Sequence, residues 1–576
     1  MPHSTYRENL IQSFTAYSED KAFGNFWQEH KREFLIMASL NLDAGLKILE
    51  SVYSPVHRRP ARDPVCMLRF LLLMTLFKVA SITSWIKQAR SVPFLAILAG
   101  FAPDDIPGVG TCYDFLRRII NGPYQKPCQH IVRRSTLTCG RHKRNIKSEK
   151  EARKQAQKVG GRLPDDQNPQ QSQSEKLVKE LLPQADQPRA DDFRKILEDL
   201  LIHVGVVPSI EQCLITGLEH LTVSGDGSIL ESGASAHGQP TCSCRSDGIF
   251  DCQHDRIYSS PTATWCYDAY RDCFLFGDRY YHLIVHQNGH DFPLITIMPG
   301  GNESDYTLSI KDFDRFLKAV RENNLNMHID MFCGDGHHDS YAHYEYFAAK
   351  QVIPIIPLAQ KSKKVIPHLP ETQTASPAEA QTDHDKAQTD HAKAQTASPA
   401  ETLAASSIRL DTDGTPLCPA GAKMRHHSYD KKKQTHIYNC PAKRNTHRDG
   451  QCIYVTHVEE CPRKQDCAPD SPIGPLVYIK SDTDPRLYPP ILRESKRFKD
   501  LMKQRTATER CNYLNDTYHL DKSCRNADYG LIRLNLVNII EHAVIRYLET
   551  VKRFPETELF NQTLREITPD LLRKAA

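Results

Sequence analysis

Two Gly-Asp-Gly sequences are the segments of this chain best suited to chemistry. They contain Asp226 and Asp335, and each follows an apolar run, 221–224 in the first case and 327–332 in the second. Each run predicts a strand, so each motif places a carboxylate at a strand end, between glycines that let other groups approach the backbone closely. Mg²⁺ in proteins is typically bound by a few carboxylate oxygens. The alternative is a pair of ordinary turns, in which Asp and Gly are also common.

A third acid, Glu509, lies on the apolar face of a predicted helix. Phe498, Leu501 and Met502 mark an apolar stripe on this helix. Continuing at spacings of three and four residues places Arg505 and Glu509 on the same stripe. A carboxylate on a buried face is costly unless it is paired or bound to a metal. A structural ion pair between Arg505 and Glu509 is the alternative, because residues four apart are neighbours on a helix.

The elements around these acids alternate between strands and helices. Apolar and amphipathic patterns predict, in chain order, strands at 221–224, 280–286 and 293–298, a helix at 305–321, a strand at 327–332, a helix at 339–350 and a strand at 352–356. This order predicts a mixed α/β sheet flanked by helices. The segment from about 20 to 122 is predicted to form a compact set of helices.

Taken together, these motifs resemble those of bacterial insertion-sequence transposases with a DDE, ribonuclease-H-like catalytic domain. The matching segments are GDGS at 225–228, CGDGHHDSYAHYEY at 333–346, RTATERCN at 505–512, WCYDAYRDCFLFGDRYYHL at 265–283 and PVCMLRFLLLMTLFKVASITSWIKQA at 64–89. The family signature also has a tyrosine three residues before the arginine and a lysine seven residues after the glutamate. Those positions hold Met502 and Asp516 in this chain.

The resemblance implies a function and a set of partners. Asp226, Asp335 and Glu509 are expected to be catalytic and to bind two Mg²⁺ (or Mn²⁺) ions, which cut DNA at the element ends and join those ends to target DNA. The implied partners are terminal inverted repeats, target DNA and a second copy of the chain in a homodimer. The implied location is the bacterial cytoplasm, at the nucleoid. A nuclease of the same fold that lacks strand transfer, and a non-catalytic DNA-binding protein derived from a transposase, remain the alternatives.

The resemblance also implies the fold class: an α/β mixed-sheet ribonuclease-H-like catalytic core with an all-α N-terminal domain and a cysteine-rich insertion. Low-complexity repeats between 371 and 403 predict a disordered insertion, because they contain almost no large apolar residues. The expected organisation is a helical DNA-binding domain at 1–125, a basic and polar linker at 126–189, the first part of the catalytic domain at 190–360, the low-complexity insertion at 361–407, the cysteine-rich insertion at 408–490, and the last part of the catalytic domain with the Glu509 helix at 491–576.

A basic segment at 126–162 follows the predicted helical domain. Such a run is either a solvated linker or an arm that binds phosphates. On the second interpretation it contacts DNA together with Arg505. The candidate DNA-binding residues of the segment are Arg133, Arg134, Arg141, Lys143 and Arg144.

Two groups of cysteines could bind Zn²⁺. The insertion carries Cys418, Cys440, Cys461 and Cys467 in a region with little apolar sequence, which predicts one structural zinc ion held by four thiolates. The segment CSCRSDGIFDCQH at 242–254 offers three further thiolates and an imidazole. The alternative is that reduced cysteines pack as small hydrophobic residues.

Composition excludes several classes of protein. Of the 576 residues 40% are hydrophobic and 25% are charged, as in a globular protein. The mean hydropathy is −0.52. The most apolar stretch, 67–79, is short and contains Arg69 and Lys78, so we expect no membrane span. The N-terminal segment lacks the apolar core of a signal peptide, and the net charge of +4 is too small to identify a partner.

Overall fold

The computed structural model divides the chain into two compact units, Met1–Gly334 with Met502–Ala576, and Asp335–Leu501. The structure describes residues 1–17, 20–53, 61–122, 132–134, 173–250, 252, 254, 256–268, 271–299, 303–359, 409–411, 414–448, 451–456, 461–462, 467, 474–520, 526–556 and 558.

Helices are the most frequent elements in the described part of the first unit. A π-helical turn, Leu201–Val206, connects two of them. The helix Lys496–Gln504 contains the boundary between the units. The α-helices of the first unit are His3–Ala16, Lys21–Glu29, Lys31–Ser39, Asp43–Glu50, Pro64–Leu76, Ile82–Ser91, Pro93–Ala99, Val109–Asn121, Gln173–Leu181, Phe193–Leu200, Val207–Glu211, Asp305–Glu322, Thr506–Thr517 and Ala527–Arg553.

The helix Pro64–Leu76 forms the centre of the N-terminal helices. The Asp63 side chain caps it by accepting hydrogen bonds from the first backbone N–H groups, and a proline occupies the first helical position. A helix that is apolar on all sides is buried on all sides, and every residue from Val65 to Leu76 is buried. The long helix Ala527–Arg553 packs against it and against the sheet of the first unit, so it joins the N-terminal helices to the sheet.

The strands are short except for two that run through the first unit's sheet. In chain order they are β1 Val132–Arg134, β2 Leu221–Glu231, β3 Gln239–Pro240, β4 Arg256–Tyr258, β5 Thr264–Asp268, β6 Cys273–Gln287, β7 His290–Ile297, β8 Ile329–Cys333, β9 Ile353–Ile355, β10 Arg425–Asp430, β11 Thr435–Asn439, β12 Lys443–Arg448, β13 Gln451–Thr456 and β14 Leu476–Lys480.

The main sheet of the first unit is mixed, as the sequence predicts. β6 pairs antiparallel with β2, β5 and β7, and β2 pairs parallel with β8. A parallel pair needs a crossover connection, which the helix Asp305–Glu322 supplies between β7 and β8. This helix and the helix Thr506–Thr517 both pack on β2, β6 and β7.

β2 differs from its predicted length. The apolar run 221–224 predicts a strand that ends before Asp226, whereas β2 continues to Glu231 and pairs Asp226 with His282. The Gly-Asp-Gly motif is therefore part of a strand, and the turn interpretation is wrong for it. A Cβ at Gly225 would collide with Tyr281, and one at Gly227 would collide with Asp305, so both glycines permit close approach on the face opposite Asp226.

The second unit contains the helix Tyr341–Ala349, β9 and a small antiparallel sheet in the order β10-β11-β14. A hairpin, β12–β13, precedes β14. A compact apolar cluster lies on the small sheet and consists of Cys418, Met424, Tyr438, Val477, Ile479 and Tyr488.

None of the helices in the described part of the chain is both long enough and apolar enough to cross a membrane.

The buried histidine His282 makes the stability of the first unit depend on pH. Its Nδ1 lies 2.5 Å from Thr296 Oγ1, and Asn515 Nδ2 lies 3.2 Å from its Nε2, an arrangement that suits the neutral ring. Burial lowers the pKa of His282 to about 3, whereas histidine in an unfolded chain titrates near 6.5. Between these values only the unfolded chain binds the proton, so this contribution to stability is lost as the pH falls below about 6.5.

We therefore expect the His282→Gln protein to become more stable relative to the parent as the pH falls from about 6.5 to 4. The difference in unfolding free energy should shift by up to about 1.4 kcal/mol per pH unit. Denaturant unfolding of both proteins across this range measures the shift. His237→Gln, a substitution at an exposed position, is the matched control. Parallel pH curves for the parent and His282→Gln would contradict the assignment.

Candidate functional site

Arg505 lies between the first and the third predicted acid. Its Nη1 is 3.8 Å from Asp226 Oδ2, and its Nη2 is 2.5 Å from Glu509 Oε1. The Arg505 side chain is 22% exposed and that of Asp226 20%. Two acids far apart in sequence are therefore gathered around one guanidinium group at the sheet surface.

The helix that carries Glu509 differs from the prediction in its buried face. The sequence predicts one helix here, whereas the structure has two, Lys496–Gln504 and Thr506–Thr517, with Arg505 between them. The second packs on the sheet through Ala507 and Cys511, which form a buried cluster with Ile284 of β6. Glu509 is not on the buried stripe, since its side chain is 54% exposed.

Polar contacts also fix the helix Thr506–Thr517 on the sheet. The hydroxyl of Tyr280 lies 3.1 Å from Asn512 Oδ1. Burial raises the pKa of Tyr280 to about 12, so this hydroxyl keeps its proton. At the other edge of the helix, Arg510 donates to both carboxylate oxygens of Asp291. These contacts position Glu509 near Asp226 although Glu509 itself is largely exposed.

Asp335 is the first residue of the second unit and accepts hydrogen bonds from two histidines. Its Oδ1 lies 2.6 Å from His338 Nδ1, and its Oδ2 lies 2.7 Å from His337 Nδ1. It also caps the short 3-10 helix Gly336–His338 by accepting from the His337 backbone N–H. Burial alone would raise the pKa of Asp335, but the hydrogen bonds and charges of the two histidines hold it well below its ordinary value. The carboxylate is therefore ionised at neutral pH.

Asp339 has a structural role in the second unit. Arg486 donates to both of its carboxylate oxygens at 2.7 Å, and Ala359 N donates to Oδ2 at 2.9 Å. With these partners the Asp339 carboxylate is committed to an ion pair.

Glu541 is a further acid of the first unit, and its side chain is buried. It lies on the helix Ala527–Arg553, and neither carboxylate oxygen has a hydrogen-bond partner among the described residues. Burial, and then the nearby charge of Asp291, raise its pKa well above the ordinary value. A buried, protonated carboxyl group is a poor metal ligand, so Glu509 remains the better candidate for the third acid.

The four cysteines of the insertion do not form the predicted zinc site. Cys418 belongs to the apolar cluster of the second unit, and Cys440 is also buried. Within the residues that the structure describes, which include Cys461 and Cys467, the ligand atoms of these four side chains do not form a metal-binding group. Packing as a small hydrophobic residue, the alternative interpretation, describes Cys418.

The side chains of Cys242, Cys244, Cys252 and His254 form a cluster that could bind a metal such as zinc. One ligand atom from each of the four lies within 4.8 Å of all the others, and no other such group occurs in the described part of the chain. The Cys242 and Cys252 sulfurs are 3.6 Å apart, and Cys244 Sγ is 3.3 Å from His254 Nδ1.

These spacings in the Cys3His cluster match a metal site better than a disulfide. A disulfide would require about 2.05 Å between sulfurs. Zn–S bonds of about 2.3 Å in a tetrahedron place two sulfurs about 3.8 Å apart. A hydrogen bond from the Cys244 backbone N–H, followed by one from Cys252, lowers the pKa of Cys242 to about 7. The sequence signal was two short pairs, C-x-C and C-x-H, which is weaker than the usual C-x₂-C.

Several predicted DNA-binding residues have little or no structural description. Arg133 and Arg134 lie on β1, which pairs with β4. Arg141, Lys143 and Arg144 lie outside the described residues, as does the low-complexity insertion 361–407.

Comparison with known proteins gives no relative for this chain: no family model matches it, and neither a curated protein nor a solved structure matches it.

Proposed function

We propose that this chain is a DDE transposase with a ribonuclease-H-like core, which cuts DNA at the ends of an insertion sequence and joins them to target DNA. The observation that carries the proposal is the position of Arg505, which contacts both Asp226 and Glu509. The motif resemblance requires that these acids meet although 283 residues (509 − 226) separate them in the sequence. A strand, β2, and a separate helix that packs on it supply the two acids.

Asp335 is proposed as the third acid from the register of two neighbouring strands. Ser224 of β2 pairs in parallel with Cys333 of β8. Asp226 lies two residues after Ser224, and Asp335 lies two residues after Cys333. Each aspartate therefore follows the paired residue of its own strand by the same number of residues, which is the spacing that the motif resemblance requires.

The donor set suits Mg²⁺ or Mn²⁺. All three side chains offer carboxylate oxygens, which these hard cations prefer, and the exposure of Asp226 and Glu509 leaves both accessible to ions. Close carboxylates repel one another unless a cation lies between them, and Arg505 supplies that positive charge in this structure. Bound divalent ions would supply the activation of a water or 3′-hydroxyl nucleophile and the stabilisation of the leaving oxygen.

The side chains of the site have separate tasks in this proposal. Asp226, Asp335 and Glu509 would hold the cations. Once its two acidic partners are occupied, Arg505 can turn its guanidinium to a phosphate oxygen, which it binds with paired hydrogen bonds. His337 and His338 hold the Asp335 carboxylate in one orientation and keep it ionised.

The basic segment 126–162 is proposed to bind the phosphates of the element ends. β1 and β4 pair Arg134 with Arg256 directly across the ladder. The excess of Lys and Arg in this segment is typical of an arm that contacts DNA phosphates. Action on paired ends as a homodimer is part of the same proposal.

Incubation of the purified chain with DNA tests this function directly. The substrate is DNA that contains the gene with its genomic flanks, together with a target plasmid. We expect cutting at inverted repeats in the flanks and joining of those ends to the plasmid, with Mg²⁺ or Mn²⁺ but not with chelator. Cutting without joining would favour a nuclease, and DNA binding without cutting in either metal would favour the non-catalytic alternative.

A further inference from the structure

The Cys3His cluster closes a segment that has almost no core of its own. Residues 241–255 connect β3 to β4, and Cys242, Cys244, Cys252 and His254 lie near the two ends of this connection. Its largest apolar side chains point to solvent: Ile249 is 51% exposed and Phe250 is 71% exposed. A segment that buries so little apolar surface needs another source of stability, which a structural metal can provide.

The same connection leads into the strand that holds the basic segment. β4 begins two residues after His254 and lies in the middle of a three-stranded sheet in the order β1-β4-β3. β1 is Val132–Arg134, so two of the candidate DNA-binding arginines pair through their backbone with β4. β4 therefore fixes the backbone position of Arg133 and Arg134.

We infer that Cys242, Cys244, Cys252 and His254 bind one structural Zn²⁺ ion, and that this ion holds β4 in place to support the basic segment. The first part stands on the cluster alone. The second part, which concerns DNA, rests on the proposed function.

The chemistry of the cluster favours zinc over other metals. Three thiolates and one imidazole form a closed four-ligand set, which is typical of structural zinc and leaves no open position for catalysis. Hard cations such as Mg²⁺ prefer oxygen ligands. Binding releases the proton of each thiol that is protonated, so zinc affinity falls as the pH is lowered. Because the ligands come together only in the folded chain, the binding free energy adds to the stability of the segment 241–255.

Metal analysis of the full-length chain tests the first part. The parent, purified without chelator, should carry about one zinc ion per chain that the Cys252→Ser protein lacks. Cys213→Ser, which replaces an exposed cysteine outside the cluster, should keep the parental zinc content. Equal zinc content in the parent and Cys252→Ser would overturn the site.

Cobalt substitution of the parent gives a second measurement that does not depend on the folding of a variant. Co²⁺ in place of zinc should show the thiolate-to-cobalt absorption of a tetrahedral site, and added Zn²⁺ should remove it. A Co²⁺ spectrum with only oxygen or nitrogen ligands would also overturn the assignment.

Removal of zinc from the parent with a chelator tests the second part. Affinity for element-end DNA should fall about tenfold or more and should recover when Zn²⁺ is returned. The loss of about two phosphate contacts should also make the plot of log affinity against log salt concentration shallower, by about 1.8 in slope. Unchanged affinity would overturn the link to the basic segment but not the zinc site. If the zinc-loaded parent binds no DNA at low salt, the link and the proposed function both fail, while zinc content still decides the site.

Discussion

An asparagine at position 226 is expected to lower the rate of DNA cleavage by about a thousandfold or more. Asn keeps the shape of Asp226 but removes the negative charge that would hold a divalent ion in the proposed site. Metal ions contribute several kcal/mol to the stabilisation of charge in such a transition state, and each loss of about 1.4 kcal/mol costs tenfold in rate. The measurement is the rate of strand cleavage on element-end DNA at saturating Mg²⁺.

The controls for Asp226→Asn separate loss of chemistry from loss of structure. Asp330→Asn makes the same change on a neighbouring strand, β8, at a partly exposed residue that pairs with His220, and should leave the cleavage rate within about threefold of the parent. Both variants should bind DNA and unfold like the parent, because Asp226 is only partly buried and its contact with Arg505 is long. Parental cleavage by Asp226→Asn would show that the metal site lies elsewhere.

Glu509→Gln and Asp335→Asn are expected to lose cleavage to a similar extent, because all three acids would hold the same ions. If Asp226→Asn abolishes cleavage but Glu509→Gln cleaves at the parental rate, Glu509 is not part of the metal site and only the two aspartates remain as candidates. Glu541→Gln would then be the next variant to test, since the helix that carries Glu541 packs on the same sheet.

Much of the sheet is predictable because its strands are continuous apolar runs. The prediction at 280–286 falls within β6, and that at 293–298 overlaps β7 and extends one residue past its end. The predicted helix 305–321 matches Asp305–Glu322 to within one residue. Buried strands and amphipathic helices leave strong periodic signals that depend only on local sequence.

The errors occur where tertiary contacts override the local pattern. The apolar run 221–224 predicts a strand that ends before Asp226, yet β2 continues to Glu231. Glycine is needed at 225 and 227 because Tyr281 and Asp305 occupy the space that side chains there would fill. No periodicity reports such a close approach, since it depends on residues far away in the sequence.

The candidate site shows the same contrast. Motif spacing identifies Asp226, Arg505 and Glu509, and the structure places them in contact. The burial argument for Glu509 was wrong, because the helix breaks at Arg505 and turns a different face, with Ala507 and Cys511, to the sheet. The break has no Gly or Pro signal in the sequence.

Loss of the Arg486 side chain is expected to destabilise the second unit strongly. Arg486 and Asp339 form a doubly hydrogen-bonded ion pair with side chains only 9% and 0% exposed. Removal of one partner from a buried pair leaves an uncompensated charge and costs roughly 3–5 kcal/mol. We therefore expect Arg486→Ala to lower the free energy of opening of this unit by that amount. Hydrogen exchange of peptides from 339–359 and 474–495 measures it locally.

The source of this cost can be tested by changing both partners of the pair. If the destabilisation comes from the unpaired Asp339 carboxylate, Asp339→Asn in the Arg486→Ala background should recover part of the loss, because the second change removes the buried charge.

The pH dependence of hydrogen exchange tests the same charge. Burial alone would raise the pKa of Asp339, but the hydrogen bonds of Arg486 chiefly hold it below its ordinary value. Without Arg486, protection from exchange should therefore improve as the pH is lowered toward 4, where the carboxyl group becomes neutral. Arg425→Ala, at an exposed position of β10 in the same unit, should leave exchange unchanged. Equal exchange in Arg486→Ala and Arg425→Ala would mean that the pair contributes little to this unit.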